Sequence, residues 1–428
     1  MELYDVVLIS PPSRAINHFR PPISLVYLGG YLTYKGLRVK IIDPKLDDVI
    51  RDKKFYADID KTLLGIRSKI MQELWKVKTD HVGISCYSGE VDEVKSLVSY
   101  IEKSTHATVI VGGIHPTLNP TEFKNTIVGE GEIPLYLRVT GKNLKVKYDI
   151  DEISRPNYSL IDMEYYTTPN PYAIRGVYLC SAYILASRGC PASCKFCVAP
   201  RLRPYFGTGR YRDMFCVIKE IMYLRNIHNI DGFYFIDDYF TFNKNKVLFF
   251  CKHMSNLNTG MVWGCSSRVN IDEELIKAMA NAGCVQMDFG VERGSDEALK
   301  EIGKGQTVAQ IKKTFKLCKK YGIRTLANIL VNVKGETLAD YDDIETLLDK
   351  IKPTVVSVNV YKKYLGAELE EGVGQLREIK NYNSVWANLK FHLSWRYIKI
   401  LWRSRRKMSY VKQLWTLIRE VVNQRFQL

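Results

Sequence analysis

Strand-length apolar runs alternate with helix-length patterns in two successive series along this chain, and that alternation limits the possible folds more than any other feature. Strands separated by helices pair in parallel and carry those helices on their faces. The first series predicts strands at residues 6–9, 39–42, 82–85, 109–111 and 126–128. A Pro-rich loop follows the first strand, and helices are expected at 24–35, ended by Gly36, and at 91–103. The second series predicts strands at 184–187, 232–236, 262–265, 286–291, 324–330 and 355–358, with helices between them. The expected fold class is α/β: a doubly wound N-terminal sheet, then a (βα)6 partial barrel with its chemistry at the strands' C-terminal ends. Residues 142–178 carry few periodicities and several Pro and Asn, and read as a linker.

A chain of 428 residues exceeds what one compact domain usually holds. Its first residues lack the basic and apolar regions of a secretory signal, and no run of ~18 apolar residues occurs, so a cytoplasmic protein is expected. Ten cysteines are too sparse for a disulfide scaffold. Cys86, Cys180, Cys216, Cys251, Cys265, Cys284 and Cys318 mostly have apolar neighbours and read as small buried hydrophobes.

The other three stand together in Cys190-Pro191-Ala192-Ser193-Cys194-Lys195-Phe196-Cys197, directly after an expected strand. A structural zinc wants four protein ligands, and no second Cys pair or nearby His supplies the fourth. A cubane iron–sulfur cluster held by three Cys instead leaves one iron open to chelate a substrate's amino and carboxylate groups.

C-x3-C-x2-C with Phe196 before the last Cys resembles the signature loop of the radical S-adenosylmethionine superfamily. The resemblance makes Cys190, Cys194 and Cys197 the ligands of a 4Fe-4S cluster and adds Phe196 to the S-adenosylmethionine site. Asp237-Asp238 resembles the second-strand motif that holds the amino group of S-adenosylmethionine. Ser267-Arg268, followed by Asn270, resembles a third-strand motif for the methionine carboxylate, where an Arg fork suits bidentate pairing. Glu292 resembles the fourth-strand acid that accepts from the two ribose hydroxyls. Val333-Lys334-Gly335-Glu336-Thr337 sits where relatives commonly have Leu-Pro-Gly-Glu-Thr, with Asn332 in place of the usual Gly. Tyr364-Leu365-Gly366-Ala367 loosely resembles the Tyr-Pro-Gly-Thr at the barrel's end.

The N-terminal loops, with Pro21-Pro22, Gly112-Gly113-Ile114-His115-Pro116 and Gly129-Glu130-Gly131-Glu132, resemble the cobalamin-binding domains fused to one large branch of this superfamily. Ser85, Gly112 and Gly113 fall where such domains accept the cobalamin nucleotide tail. There is no Asp-x-His-x-x-Gly to place an imidazole beneath the cobalt; His18 has the wrong spacing, and His115 reads as structural. The resemblance implies transfer of a methyl group to an unactivated carbon through a 5′-deoxyadenosyl radical. It also implies an electron donor such as flavodoxin or ferredoxin and a small-molecule or lipid-like substrate. Radical cyclisation, oxidation or carbon–carbon coupling without methyl transfer stays open, as does a non-catalytic cobalamin sensor. A methylthiotransferase would need three further N-terminal cysteines, and only Cys86 precedes residue 180. No catalytic side chain is named.

The net charge of +16 is uneven. Residues 1–150 carry 21 basic against 18 acidic residues, and residues 386–428 carry 10 against the single Glu420. Four of the six tryptophans, Trp386, Trp395, Trp402 and Trp415, lie in this tail, and apolar residues from Val411 to Phe426 recur at helical spacing. One reading is a helix docked on the barrel. Another is an interfacial helix on anionic lipid that helps present a hydrophobic substrate; nucleic acid is the least favoured partner. The expected domains are a Rossmann-like cobalamin-binding domain at 1–141, the linker at 142–178, the barrel at 179–368 and a basic, Trp-rich α-helical region at 369–428.

Overall fold

The computed structural model describes residues 1–12, 20–44, 59–143, 148–363, 365–372 and 377–410. They form two compact units, Met1–Tyr166 with Leu202–Gly207, and Thr167–Arg201 with the residues from Thr208 onward.

The first unit contains β1 (Val6–Ile9), α1 (Ile23–Tyr34), β2 (Val39–Ile42), α2 (Ile59–Trp75), β3 (His81–Ser85), α3 (Val91–Ser104), β4 (Thr108–Gly112) and α4 (Glu132–Thr140). The four strands pair in parallel in the order β2-β1-β3-β4. Alternation along β1 divides the core: Val7 and Ile9 pack with Leu63, Ile70, Leu97 and Ile101 of α2 and α3. Val6 and Leu8 pack with Leu25 and Leu32 of α1 and Leu135 of α4. The sheet is therefore covered on both faces, which is why β1 is apolar at every position. The expected fifth strand at 126–128 is reduced to one bridge, Val111 with Thr126. The expected linker also begins inside this unit, because Ile153, Leu160 and Ile161 pack into the α1 side of the core.

The second unit contains β5 (Ser181–Ile184), α5 (Met214–His228), β6 (Gly232–Phe235), α6 (Lys244–Leu257), β7 (Val262–Ser267), α7 (Glu273–Asn281), β8 (Cys284–Glu292), α8 (Val308–Lys320), β9 (Arg324–Val331), α9 (Leu338–Ile351) and β10 (Val355–Val360). The six strands lie in chain order, all parallel, and the short Tyr382–Asn383 strand pairs antiparallel with β10. Helix starts are fixed by side chains: Asp213 caps α5, Asn243 caps α6, Asp272 caps α7, and Thr307 with Gln310 forms a capping box on α8. On the outer face, Phe233 and Phe235 of β6 and Trp263 of β7 pack on Phe250 of α6.

Two further helices, α10 (Val385–His392) and α11 (Trp395–Arg403), pack on the N-terminal ends of the barrel strands. Tyr397, Ile400 and Tyr410 join Leu179, Cys180, Val262 and Val285 in one buried cluster. The docked-helix expectation concerns the apolar stripe of 411–426, which lies outside the described residues.

Candidate active site

The cysteine segment begins just past β5, whose sheet register ends at Ile184, three residues earlier than the sequence pattern predicts. Ser187–Arg188 instead pairs antiparallel with Arg210–Tyr211. Arg212 secures the turn: its amide donates to the Ala186 carbonyl at 2.9 Å and its guanidinium to the Leu185 carbonyl at 2.7 Å. A buried ion pair with Glu220 at 2.7 Å holds Arg212 in turn. Residues 190–197 then rest on the turn at 302–303, with the Lys195 amide donating to the Ile302 carbonyl at 3.0 Å. Phe196 packs with Ile302, Leu330, Val333 and Tyr361, and its ring faces the Lys304 ammonium at 5.5 Å.

Cys194 is buried, and Cys190 and Cys197 are partly so. Burial pushes the Cys190 thiol up and the Cys197 thiol up to about 11, while the amides of Ala192 and Ala199 pull in the opposite direction. The Ala199 amide lies 3.4 Å from Cys197 Sγ, and Arg268 Nη1 lies 3.4 Å from Cys194 Sγ. Donors aimed at sulfur favour the thiolate, the form that binds metal. Among the described residues no three His, Cys, Asp or Glu side chains converge where one ion would sit. Three thiolates of a cubane bind separate iron atoms and require no such convergence.

Of the predicted Asp pair, only Asp238 turns toward this loop, where its charge reaches both Cys190 and Cys197. Asp238 is open to water, yet loss of solvent raises its pKa, a combination expected of a group lining a concavity. Asp237 is buried and accepts from the Ala186 amide at 3.1 Å and from the Ser187 hydroxyl. Burial raises its carboxyl to about 7. It holds the strand end rather than facing the loop.

Ser267 is likewise turned away, buried with its hydroxyl 2.6 Å from that of Thr241. Arg268 on the opposite side reaches the cysteines. Glu292 stands at φ 66°, in the left-handed region, at a register shift between β8 and β9. Its carboxylate accepts from Lys304 Nζ at 2.8 Å, both groups being buried. A Cβ on Gly290 would lie 2.3 Å from each of them, so a larger residue there would have to displace the pair. Asn332 stands at φ 70°, the conformation for which Gly is usual at that position and which Asn tolerates. Glu336 secures this turn by accepting from the Asn332 amide at 2.6 Å.

Sequence reading did not single out the inner face of the barrel. Tyr234 of β6 donates to Asp288 of β8 at 2.8 Å and lies 3.0 Å from the Ser266 hydroxyl of β7; Gln286 donates to the other Asp288 oxygen at 2.9 Å. Strand register places Asn328 of β9 and Ser357 of β10 on the same face. Tyr234, Gln286 and Arg324 are buried at one level, whereas Ser266, Asp288, Asn328 and Ser357 above them are partly open. The interior therefore has a buried floor and a polar, water-accessible upper wall. Strand alternation was the available signal: Ser266 must share the face of Arg268, and Ser267 cannot.

In the first unit, Ser85 and Gly112 are register partners at the C-terminal edge of β3 and β4, beside the β1/β3 switch in strand order. Gly113 stands at φ 112°, and a Cβ there would lie 2.9 Å from the Cys86 carbonyl oxygen, so the chain needs glycine at that position. Among the described residues, a Cβ on Gly112 would meet Ile127 alone, at 3.8 Å. The room that the described residues leave before Gly112 fits a cradle for a bound group. His115 is buried with Nδ1 3.1 Å from the Ser88 hydroxyl, as a structural histidine would be. His18 lies outside the described residues.

A doubly wound sheet followed by a parallel partial barrel, with three thiols on the loop after the barrel's first strand, defines an iron–sulfur enzyme architecture. Residues 184–348 match the radical SAM superfamily and residues 14–137 the B12 binding domain, and the chain belongs to the branch of that superfamily with an N-terminal cobalamin-binding domain. It is 26% identical to an uncharacterised methyltransferase of Pyrococcus horikoshii over 411 residues, covering 87% of this chain and 83% of that one. It is 25% identical to the anaerobic magnesium-protoporphyrin IX monomethyl ester cyclase of Rubrivivax gelatinosus, with 86% and 70% covered. In structure it is similar to the radical S-adenosylmethionine methyltransferase TsrM from Kitasatospora setae, with TM-score 0.65, 18% identity, and 84% and 75% covered. At that identity the likeness concerns the fold. The family's cofactors are a 4Fe-4S cluster, S-adenosylmethionine and cobalamin; the sulfur-directed donors and the open Gly112 edge are compatible with the first and last of these.

Proposed function

We propose that the protein is a cobalamin-dependent radical S-adenosylmethionine methyltransferase acting on an unactivated carbon of a small molecule whose reacting end is polar. The supporting observation is the three-thiol loop, with N–H donors on its sulfurs, at the mouth of a barrel whose accessible inner wall is polar. When bound, the cluster supplies the electron that cleaves S-adenosylmethionine and cobalamin carries the methyl group. In this reading Cys190, Cys194 and Cys197 are the iron ligands, and Phe196 walls the site. Asp238 and Arg268 meet the amino and carboxylate ends of S-adenosylmethionine. Glu292 accepts from the ribose hydroxyls while Lys304 holds its carboxylate in place, and Ser85, Gly112 and Gly113 border the cobalamin tail. Asp237 and Ser267 act by positioning the strand ends. Asp288, Ser266, Asn328 and Ser357 offer hydrogen bonds to substrate, which favours a polar reacting end over a lipid-like one.

The electron comes from a small donor protein such as flavodoxin or ferredoxin. The enzyme is cytoplasmic, with its C-terminal region at a membrane surface. Among the described residues no helix is long and apolar enough to cross a membrane. Cyclisation, oxidation or coupling without methyl transfer is the second reading, which the Rubrivivax relative favours.

Anaerobic reconstitution tests the core of this function. About four iron atoms per chain and a corrinoid absorption band are expected, and Cys190→Ala, Cys194→Ala or Cys197→Ala should abolish S-adenosylmethionine cleavage. Full iron content in the triple variant would refute the cluster assignment.

A further inference from the structure

The helix α11 is buried on one side only. Tyr397 and Ile400 point into the cluster under the strand ends, whereas Trp395, Ile398 and Trp402 are 69%, 43% and 77% exposed. Those three recur at i, i+3 and i+7, so they form one stripe along the helix. Leu393 and Met408, before and after the helix, are 71% and 80% exposed. Isolated exposed apolar residues are ordinary; two tryptophans and an isoleucine in line are not.

Between Trp395 and Tyr410 the chain carries Arg396, Lys399, Arg403, Arg405, Arg406 and Lys407, and no acid. Lys399 lies over the Trp395 ring at 5.7 Å. Two clefts flank the helix. One, of about 360 Å³, is lined by Arg225, Arg403 and Arg405, and the other, of about 380 Å³, by Arg396, Lys399 and Arg403. The one acid among the lining residues, Asp231, already accepts from the hydroxyls of Ser404 at 2.9 Å and Tyr410 at 2.8 Å. Burial, joined by repulsion from Arg403 across the first cleft, lowers the Arg225 pKa, and Asp231 opposes that shift.

We propose that this face, with the Trp395–Ile398–Trp402 stripe inserted and the Arg403-centred clefts taking lipid phosphates, is the surface by which the protein docks on an anionic bilayer. This rests on the reading of the C-terminal region as a membrane contact and names the face that makes it. Indole rings seat at the headgroup boundary, and flanking cations reach the phosphates. The charge selects the occupant, because a neutral apolar partner would leave the excess of cations in both clefts unbalanced. Gly260, Met261 and Gly283 in the cleft walls precede β7 and β8, so the face lies at the N-terminal ends of the strands, opposite the cysteine loop. Docking there turns the cysteine-loop end of the barrel away from the bilayer. The contact anchors the enzyme and does not feed lipid to the site, in agreement with the polar inner wall.

Flotation of the full-length protein with phosphatidylcholine vesicles, with and without phosphatidylglycerol, tests this. Binding is expected only with the anionic lipid and should weaken as salt rises. Trp395→Ser with Trp402→Ser, and separately Arg396→Gln with Lys399→Gln and Arg403→Gln, should each weaken partitioning by about tenfold or more. These side chains are exposed, so circular dichroism and S-adenosylmethionine cleavage should stay unchanged. No binding by the unaltered protein would refute both the membrane contact and its face. Unchanged binding by both variants would refute the face alone.

Discussion

At the C-terminal ends of the barrel strands two groups of charges are paired, Glu292 with Lys304 and Arg293 with Glu336 and Asp340. At the N-terminal ends, six cations between Trp395 and Tyr410 have no acid among them in the sequence. Both ends belong to the same sheet and differ in what completes them. Paired, desolvated charges fix side chains in advance of a bound group, at a cost recovered by its binding. An excess of cations beside exposed indoles favours an anionic partner outside the chain. The comparison teaches that charge density alone does not locate the chemistry, since the more basic end is the one remote from the thiols.

The sharpest way to break the comparison is to exchange one residue at each end. Cys194→Ala should eliminate S-adenosylmethionine cleavage and leave vesicle binding intact, whereas the Trp395/Trp402 variant should do the reverse. A variant that lost both would show that the ends are coupled. A smaller effect is expected at Arg268, which donates to Cys194 Sγ and is proposed to meet the S-adenosylmethionine carboxylate without itself binding iron. Arg268→Gln should retain iron but lower kcat/KM for S-adenosylmethionine by about 10–100-fold, the range for lost outer contacts to a metal site. Wild-type turnover would remove Arg268 from the site.

The smallest effect concerns stability. Asp237 holds a carboxyl raised to about 7 by burial, so over roughly pH 4 to 7 the folded chain keeps a proton that the unfolded chain has released. Its contribution therefore favours folding at the lower end and is lost as pH rises through 7, by up to about 1.4 kcal/mol per pH unit. Asp237→Asn, which can still accept from the Ala186 amide, should flatten that slope in denaturant titrations at pH 5 and pH 7. An unchanged slope would mean that Asp237 is ionised in the folded protein.

Much of this was legible in the sequence for identifiable reasons. A core strand such as β1 was readable because burial on both faces leaves no polar residue to blur the apolar run. The cysteine loop was readable because its spacing is local. Residues whose role depends on orientation were less so. Asp237 and Asp238 are neighbours in sequence, yet one is locked against Ser187 while the other faces the thiols. Ser267 shares its motif with Arg268 but lies on the other side of β7. Asn332 departs from the usual Gly in sequence only, since its backbone adopts the same left-handed conformation. The polar inner wall is assembled from four strands far apart in the chain, and the tail's two characters, docked and exposed, occupy opposite sides of one helix. Neither follows from composition.

The central claim, a cobalamin-dependent methyl transfer on radical S-adenosylmethionine machinery, is tested most directly by product analysis after anaerobic reconstitution with cobalamin, S-adenosylmethionine carrying a labelled methyl group, and a reductant. The account predicts both 5′-deoxyadenosine and S-adenosylhomocysteine, with label recovered on the corrinoid. Formation of 5′-deoxyadenosine alone, with no S-adenosylhomocysteine and no labelled corrinoid, would contradict methyl transfer and leave the cyclase, oxidase or coupling reading in its place.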